Sequence, residues 1–327
     1  MRAEKTEQLD VFDRIRAACR SVADRAEHVR IRVDRIAAYA ETLSAHELDF
    51  PALDADRHFV GDELETAAYF VTLDTINFGS GYFPHLTKRR GASGYYTIAS
   101  GLADRFRADG PIAAVKLRTI APRECARILG QDMLCFPIRE LIRLFAKALN
   151  DLGRHLMDRF GGSFGELIGS ADRSAARLTG LLSAQPFFRD EVSYRGLVVP
   201  LHKRAQLLAS DLALAFGGEG PGRFDDLDRL TIFADNLVPH VLRIDGLLAY
   251  SDPLAAAIDR EELIRAGSDE ETEIRACAVH CVELINEALA RTGRPVSSRR
   301  LDQILWHRGQ RTDYKSAKRH RTRTVFY

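Results

Sequence analysis

Residues 138–160 read IRELIRLFAKALNDLGRHLMDRF, and this stretch decides the fold class. Its apolar side chains recur every three or four positions, which is the spacing of one face of an α-helix. The stripe consists of Ile138, Leu141, Ile142, Phe145, Leu149, Leu152, Leu156 and Phe160. Gly161 and Gly162 end the pattern, and Ser163 with Glu166 has the capping-box spacing that opens another helix. The stretch therefore predicts a long helix with one buried face.

The same helical pattern recurs along the chain, and period-two runs are few. Further helices are predicted over residues 8–27, 61–78, 201–216, 227–235, 270–291 and 299–306, with starts at Ser44, Pro122 and Pro239. Residues 79–97 are rich in Gly, Pro and polar side chains, which favours a loop with room for a short strand. We expect a mainly α protein with a minor β component. A single domain over residues 1–327 is predicted, with the N-terminal segment of about 50 residues as a helical extension packed on it.

Composition indicates a globular protein without an obvious polymeric partner. Apolar residues make up 46% and charged residues 28% of the 327 positions, and the net charge is +1. The five cysteines are irregularly spaced, which is typical of reduced thiols. The first residues lack the apolar core of a secretory signal, and no run of about 18 apolar residues occurs. These observations predict a cytoplasmic protein with no membrane partner and no nucleic acid polymer as its partner.

One carboxylate interrupts an apolar segment, residues 230–243, LTIFADNLVPHVLR. Asp235 follows Phe233 and Ala234 and precedes Leu237. A carboxylate removed from water costs several kcal/mol unless it is paired or hydrogen-bonded. Asp235 is therefore either a helix cap or a group that performs chemistry in an apolar pocket.

Two other segments contain polar residues in apolar surroundings. Asp74 and Asn77 lie three residues apart before Phe78, and an amide beside aromatic rings suits a planar heterocycle. The alternative is an asparagine that ties down a loop. Lys203 and Arg204 interrupt the apolar pattern after Pro200. Such a pair usually lies on a solvated face, but an inward lysine would tune a nearby carboxylate.

The remaining candidate motifs are weak. Cys277, His280 and Cys281 share one helix but lack a fourth ligand, so two apolar thiols and a surface histidine are favoured over a zinc site. The basic residues 315–323 resemble a nucleic-acid tail, yet the final Thr-Val-Phe-Tyr quartet indicates docking on the body. Arg321 and Arg323 are candidates for bidentate phosphate contacts or for anchoring that tail.

Seven segments in order resemble the queuosine salvage proteins, a family of queuosine 5′-phosphate N-glycosylase/hydrolases. They are ETAAYFVTLDTINFGSGYF, FFRDEVSYRG, HKRAQLL, LTIFADNLVPHVL, the helix that begins GSDEETEIRA, LDQILW and HRTRTVFY, and they lie between about residue 58 and residue 327. The resemblance implies a fold related to the helix–hairpin–helix DNA glycosylases. It also implies hydrolysis of the bond between ribose and the 7-deazaguanine base queuine.

The resemblance carries the family's functional residues onto positions of this chain. Asp235 matches the catalytic aspartate and Lys203 the lysine of the KRAQ block. The substrate-binding residues implied in the same way, together with the adjacent Phe233 as a pocket wall, are His58, Asn77, Phe78, Phe233, Asp302 and Trp306. No cofactor and no metal are implied, and the substrate is a small molecule, queuosine or its 5′-monophosphate.

Two departures bear on the substrate. The family commonly has a bulky aromatic residue shortly after the NF pair, where this chain has Gly79-Ser80-Gly81. The DNA-binding hairpin of the helix–hairpin–helix glycosylases is rich in glycine, whereas LVPHVL has none. The second departure disfavours a DNA-directed glycosylase. A protein that binds queuine or a nucleotide without turnover is the other alternative.

The chemistry of a 7-deazapurine restricts the mechanism. Cleavage leaves positive charge on the sugar and negative charge on the base, and a carbon at position 7 closes the route through N7 protonation. We expect Asp235 to supply negative charge near C1′ or to act as a base for water. We expect Lys203 to keep that carboxylate ionised.

Overall fold

The computed structural model describes residues 9–43 and 53–327, and helices dominate this part of the chain. They are α1 (Val11–Ala23), α2 (Ile36–Thr42), α3 (Glu63–Thr75), α4 (Gly94–Asp109), α5 (Ala114–Leu117), α6 (Pro122–Ile128), α7 (Phe136–Arg159), α8 (Phe164–Gly169), α9 (Ala175–Ser183), α10 (Lys203–Ala215), α11 (Val238–Ile244), α12 (Asp252–Asp259), α13 (Asp269–Arg291), α14 (Ser298–Arg308) and α15 (Thr312–Ser316). The mainly α prediction is confirmed. The likeness to helix–hairpin–helix glycosylases stays a prediction, and the start predicted at Ser44 lies outside the described residues.

Two small antiparallel sheets form the β component. β1 (Val29–Ile31) pairs with β4 (Leu248–Tyr250), and β2 (Glu191–Tyr194) pairs with β3 (Leu197–Pro200). The β2–β3 hairpin turns through Arg195 and Gly196, which both have positive φ angles. Two such residues give a turn whose twist matches that of the strands.

Helix α7 forms as its sequence predicts. Its apolar stripe is buried, and Pro137 occupies the first turn, where a missing N–H costs nothing. The helix ends because Gly161 and Gly162 adopt left-handed φ angles of 57° and 84°. The Ser163 hydroxyl then accepts the Glu166 N–H at 3.2 Å, which starts α8 as predicted.

The helices predicted over residues 8–27 and 270–291 are confirmed as α1 and α13, which pack against each other. Ser268 caps α13 by accepting the Glu271 N–H at 3.3 Å. The predicted apolar face of α1 packs against α13, and its side chains Phe12, Ile15, Cys19 and Val22 are fully buried. Cys277 and Cys281 lie in this interface, so the apolar interpretation of these thiols is confirmed.

The helix predicted over residues 227–235 is wrong. A single 3-10 turn spans Leu227–Arg229, and residues 230–234 are extended. Side chains of other helices satisfy the extended backbone: Gln206 Oε1 accepts the Thr231 N–H at 2.9 Å, and Asp302 Oδ1 accepts the Phe233 N–H at 2.8 Å. Helix α11 begins only at Val238, with Pro239 in its first turn as predicted.

Two further boundaries differ from the sequence pattern. Residues 79–97 contain no strand, because a 3-10 helix spans Ser80–His85 and α4 begins at Gly94. Ser93 caps α4 through the Tyr96 N–H at 3.2 Å, a serine that composition placed inside a loop. Helix α3 ends at Thr75, so Asn77 and Phe78 lie just beyond it.

The C-terminal residues dock on the body of the protein, as predicted. Gly79 donates its N–H to the Tyr327 carbonyl at 2.8 Å, and Tyr327 is 2% exposed. Gly81 lies so close to the tail that a Cβ atom there would overlap the Thr322 carbonyl oxygen. Gly81, one of the residues that depart from the family pattern, therefore admits the tail.

Arg204 fastens the tail to α3 and is 2% exposed. Its guanidinium donates to the carbonyls of Asp74 at 2.9 Å, Thr75 at 2.6 Å and Val325 at 2.8 Å, and also to that of Phe187. The sequence alternative of a solvated face is wrong for this residue.

Across residues 9–43 and 53–327, no helix combines the length and apolar content of a membrane span.

Replacing Arg204 by leucine should destabilise the protein strongly, because buried carbonyls on three segments lose their donor. We expect the free energy of unfolding, measured in urea, to fall by about 3–5 kcal/mol. Arg260→Ala removes an exposed arginine that pairs with Glu262 at 2.7 Å and should leave the stability close to that of the wild type. Equal losses in the two variants would contradict this account of the tail.

Candidate active site

A cavity of about 730 Å³ lies where the loop after α3, the start of α4, α10, α14 and the tail meet. Its volume suits a small-molecule ligand. The eight predicted site residues all line it: Lys203, Asp235, His58, Asn77, Phe78, Phe233, Asp302 and Trp306. Residues that are far apart in the sequence thus share one cavity, although their individual roles stay predictions.

Asp235 is both a helix cap and part of the cavity wall. Its Oδ1 accepts the N–H groups of Leu237 at 2.7 Å and Val238 at 3.2 Å, which opens α11. Within the described chain, Oδ2 accepts no hydrogen bond, and the side chain is half-buried. The two alternatives from the sequence are therefore compatible: one oxygen fixes the carboxylate, and the other is available to a ligand.

A buried ion pair positions the backbone on both sides of the cavity. Arg275 forms a two-point contact with Asp190, at 2.9 Å and 2.6 Å, and donates from Nε to the Ala234 carbonyl at 3.0 Å. Asp190 also accepts the Lys203 N–H at 3.1 Å. The pair thus ties the residue before Asp235 to the first residue of α10. The sequence interpretation missed both residues, because Asp190 stands between the charged Arg189 and Glu191 and its pairing with Arg275 appears only in the fold.

Lys203 points away from bulk water and is 6% exposed. Burial lowers the pKa of its ammonium, while the charges of Asp235 and Asp74 oppose that shift. Of the two alternatives for Lys203, the inward orientation is correct and the solvated face is wrong.

Three further carboxyl groups surround Lys203. Burial, and after it the nearby charge of Asp235, raise the pKa of Asp302 to about 7. Burial also raises the pKa of Asp74 to about 7 against the opposing effects of Asn77, Lys203 and Arg204. For Asp211, burial and then Asp74 hold the pKa well above its usual range. Carboxyl groups of this kind carry protons near neutral pH.

Asn77 is held by one of these carboxyl groups. Its Nδ2 donates to Asp74 Oδ1 at 3.1 Å, whereas Asp74 Oδ2 is buried without a hydrogen-bond partner among the described residues. Phe78 packs edge-on against Phe145, with ring centres 4.9 Å apart. The predicted amide and aromatic ring are therefore rigidly placed on the wall.

Aromatic side chains cover another wall. Trp306 meets Tyr95 and Tyr96 edge to face, with ring centres 6.2 Å and 5.9 Å apart. His58 stacks on Phe70 at 5.9 Å. The tyrosine pair was missed because it lies in the segment predicted as a loop. Such a wall suits a planar heterocycle.

His58 orients this wall through both ring nitrogens. Nδ1 lies 2.8 Å from the Asp54 carbonyl and Nε2 lies 2.9 Å from the Tyr95 hydroxyl. A carbonyl can only accept, so Nδ1 carries the proton and Nε2 accepts from Tyr95. Burial lowers the pKa of His58, which keeps the ring neutral. His58 is thus a neutral ring on the cavity wall, and its Nε2 holds the Tyr95 hydroxyl in place.

Arg321 and Arg323, the tail arginines considered as phosphate contacts, lie outside the cavity wall. Arg321 donates to the Glu261 carbonyl at 2.5 Å, and the Arg323 guanidinium lies 5.0 Å from the centre of the Tyr82 ring. The basic residues that line the cavity are Lys88, Lys203, Lys315 and Arg319. In residues 9–43 and 53–327, no three His, Cys, Asp or Glu side chains are grouped to hold a metal ion.

Comparison with known proteins agrees with the resemblance seen in the sequence. The family described as "Queuosine salvage protein" matches residues 57–327. A queuosine 5′-phosphate N-glycosylase/hydrolase of Sphaerobacter thermophilus is 37% identical, over 94% of this chain and 96% of that protein. Proteins of the same name from Mus musculus and Dictyostelium discoideum are 32% and 33% identical, over 72% and 80% of this chain and 72% and 78% of their own lengths.

The buried Asp74 should make the protein less stable as the pH rises. Its pKa of about 7 in the folded state exceeds the value of about 3.9 in an unfolded chain. Between these values the unfolded state binds fewer protons, so stability falls as the pH increases. Asp74→Asn should therefore be more stable than the wild type at pH 8, by about 1 kcal/mol or more, and equally stable near pH 4.

Urea unfolding at both pH values measures this difference. Asp56→Asn provides the control, because Asp56 is exposed to solvent. Replacing this exposed carboxylate by an amide should change the free energy of unfolding by less than about 0.5 kcal/mol at either pH. An Asp74→Asn variant that is less stable than the wild type at pH 8 would refute the assignment of a buried, destabilising carboxyl group.

Proposed function

The chain belongs to the queuosine salvage protein family, and on that basis we propose that it hydrolyses the N-glycosidic bond of queuosine 5′-monophosphate. The products are queuine and ribose 5-phosphate. One observation carries the proposal: the free oxygen of Asp235 lines an aromatic-walled cavity of about 730 Å³ beside the buried Lys203.

The proposed reaction begins with the base against the aromatic wall and C1′ next to Asp235. As the bond from C1′ to the base nitrogen breaks, its electron pair leaves with the base, and positive charge develops on the ribose. The Asp235 carboxylate stabilises that charge, and the dry surroundings strengthen the interaction. Lys203 supplies a compensating positive charge on the wall of the same cavity.

Water completes the reaction. Its oxygen bonds to C1′, and Asp235 Oδ2 takes its proton as a general base. Oδ1 already accepts two N–H groups, at 2.7 Å and 3.2 Å, so the carboxylate cannot turn away from the sugar without uncapping α11. The cap therefore serves the chemistry by fixing the direction of the catalytic oxygen.

Asp302 is the proposed acid for the departing base. Its Oδ1 accepts the Phe233 N–H at 2.8 Å, which leaves Oδ2 to carry a proton. A pKa of about 7 makes that proton both present and transferable near neutral pH. The base cannot be activated by protonation at position 7, which is a carbon. A proton donor, Asp302, at another edge of the base takes over this role. The Asp302 proton balances the negative charge that leaves with the base.

Several finer features belong to the same proposal. The reaction uses Asp235, Lys203 and Asp302 without a metal ion. The substrate is a small molecule and not a nucleic acid polymer or a membrane, in line with the net charge of +1. A cytoplasmic location is proposed from the five free thiols.

Asp235→Asn is the central test. The asparagine oxygen can still accept the two N–H groups of α11, so the fold should persist while the charge is lost. We expect queuine release from queuosine 5′-monophosphate, followed by chromatography, to fall at least about 100-fold. Thermal unfolding controls for folding. Wild-type protein that binds the nucleotide without releasing its base would refute the enzymatic proposal, and near-normal release by Asp235→Asn would refute the catalytic assignment.

The pH profile tests Asp302. Because the acid must be protonated in the free enzyme, kcat/KM should decline as the pH rises above about 7. Asp302→Asn keeps a hydrogen-bond donor but does not titrate, so it should be slower and should lose this decline. A variant that retains the wild-type alkaline limb would assign the titration to another group, such as Asp74.

A further inference from the structure

The chain turns sharply just before Lys203. Strand β3 ends at Pro200 and α10 begins at Lys203, so two residues convert an extended chain into a helix. The second of them, His202, has a φ of 46° and a ψ of 39°, in the left-handed region that residues with a Cβ atom rarely adopt. The backbone angles of His202 therefore set the direction in which α10 leaves the strand.

Burial distinguishes His202 from the other residues with this backbone conformation. Within residues 9–43 and 53–327, the remaining non-glycine residues with positive φ angles are all exposed: Asp172, Arg173, Arg195 and Glu261. His202 is 4% exposed. A strained residue persists only where its surroundings hold it, and such residues cluster at functional sites. The contacts that hold His202 are therefore the evidence for its role.

Asp190 holds the backbone of this turn. Its carbonyl accepts the N–H groups of Leu201 at 2.8 Å and of His202 at 3.2 Å, and its carboxylate accepts that of Lys203 at 3.1 Å. These three hydrogen bonds fix the path of the chain. Because they use backbone N–H groups, they would form with many residue types at position 202. The choice of a histidine must therefore be explained by its ring.

The imidazole ring of His202 bridges two other elements. Its Nδ1 lies 3.1 Å from Ser183 Oγ, at the end of α9, and its Nε2 lies 3.6 Å from Glu191 Oε1, at the start of β2. The Ser183 hydroxyl donates to the Thr179 carbonyl at 2.7 Å, so it accepts from Nδ1, which carries the proton. The ring thus clamps the turn to α9 and β2.

The clamp acts on a residue of the cavity wall. Lys203 is 6% exposed and lines the cavity, whereas His202 lies behind that wall. The two adjacent side chains thus lie on opposite sides of the turn, with the imidazole at α9 and β2 and the ammonium in the cavity. Because one short backbone segment carries both, a rotation that released the ring would also move the ammonium.

We propose that His202 is a positioning residue, whose contacts with Ser183 and Glu191 hold the strained turn that directs Lys203 into the cavity. The expected effect on turnover rests on the proposed function, in which Lys203 supplies positive charge near Asp235. A misplaced catalytic group lowers the rate even when the substrate still binds. The effect of His202 should therefore appear in kcat more than in KM.

Two substitutions separate the clamp from the strain. His202→Gly relieves the strain but loses the ring, whereas His202→Asn tolerates the left-handed turn and keeps an amide N–H for Ser183. We expect kcat for queuosine 5′-monophosphate to fall about tenfold in His202→Gly, with KM within about threefold of the wild type, and His202→Asn to recover most of the loss. A residue that only tolerated strain would predict wild-type kcat in His202→Gly.

The position of Lys203 can be measured without turnover. Trace acetylation with acetic anhydride, followed by mass spectrometry of peptides, gives the reactivity of Lys203 relative to the exposed Lys116 of the same molecule. Lys203 should react slowly in the wild type because it is buried. Its relative reactivity should rise at least about tenfold in His202→Gly and stay within about threefold of the wild type in His202→Asn. Thermal unfolding checks that each variant is folded at the labelling temperature.

Asp172→Gly is the matched control, because Asp172 also has a positive φ angle, of 49°, but is exposed. Its kcat and its Lys203 reactivity should both stay within about twofold of the wild type. If the wild type releases no base but the labelling differs as expected, the enzymatic proposal fails and the positioning role stands. If Lys203 is as unreactive in His202→Gly as in the wild type, or equally reactive in the control, the positioning role is overturned.

Discussion

The buried pair of Arg275 and Asp190 is the constraint on which the site depends. Two charges removed from water are tolerated only when both are fully hydrogen-bonded, and here the remaining donors and acceptors meet backbone atoms at the cavity. The Ala234 carbonyl receives Nε of Arg275, and the Lys203 N–H reaches Asp190. The same interaction therefore places the carboxylate and the lysine, although 32 residues separate them in the sequence.

The carboxyl groups around Lys203 have a different energetic character. Asp74, Asp211 and Asp302 are held in surroundings that disfavour their charged forms, so they lower stability at neutral pH. Groups that reduce stability and line or adjoin a cavity are typical of sites maintained for binding or catalysis.

Sequence patterns were sufficient where a segment's structure depends on its own residues. The stripe of α7, the serine cap of α13 and the apolar face of α1 are local signals, and each is confirmed. The error at 227–235 has a distant cause, since Gln206 and Asp302 supply acceptors that no local pattern contains. All eight predicted residues line the cavity. They could be named from the sequence because family motifs, or for Phe233 an adjacent motif, marked their positions. Arg275 and Asp190 were missed because their partners become visible only in three dimensions.

The docked tail has a consequence for how the protein is made. Tyr327 is part of the cavity wall, and its neighbours thread between Gly81 and Arg204. Residues 320–327 are synthesised after every other wall of the cavity. Because the chain is made from its N-terminus, α1, α3, α7 and α10 precede this part of the wall, so the cavity cannot be complete before residues 320–327 have been synthesised.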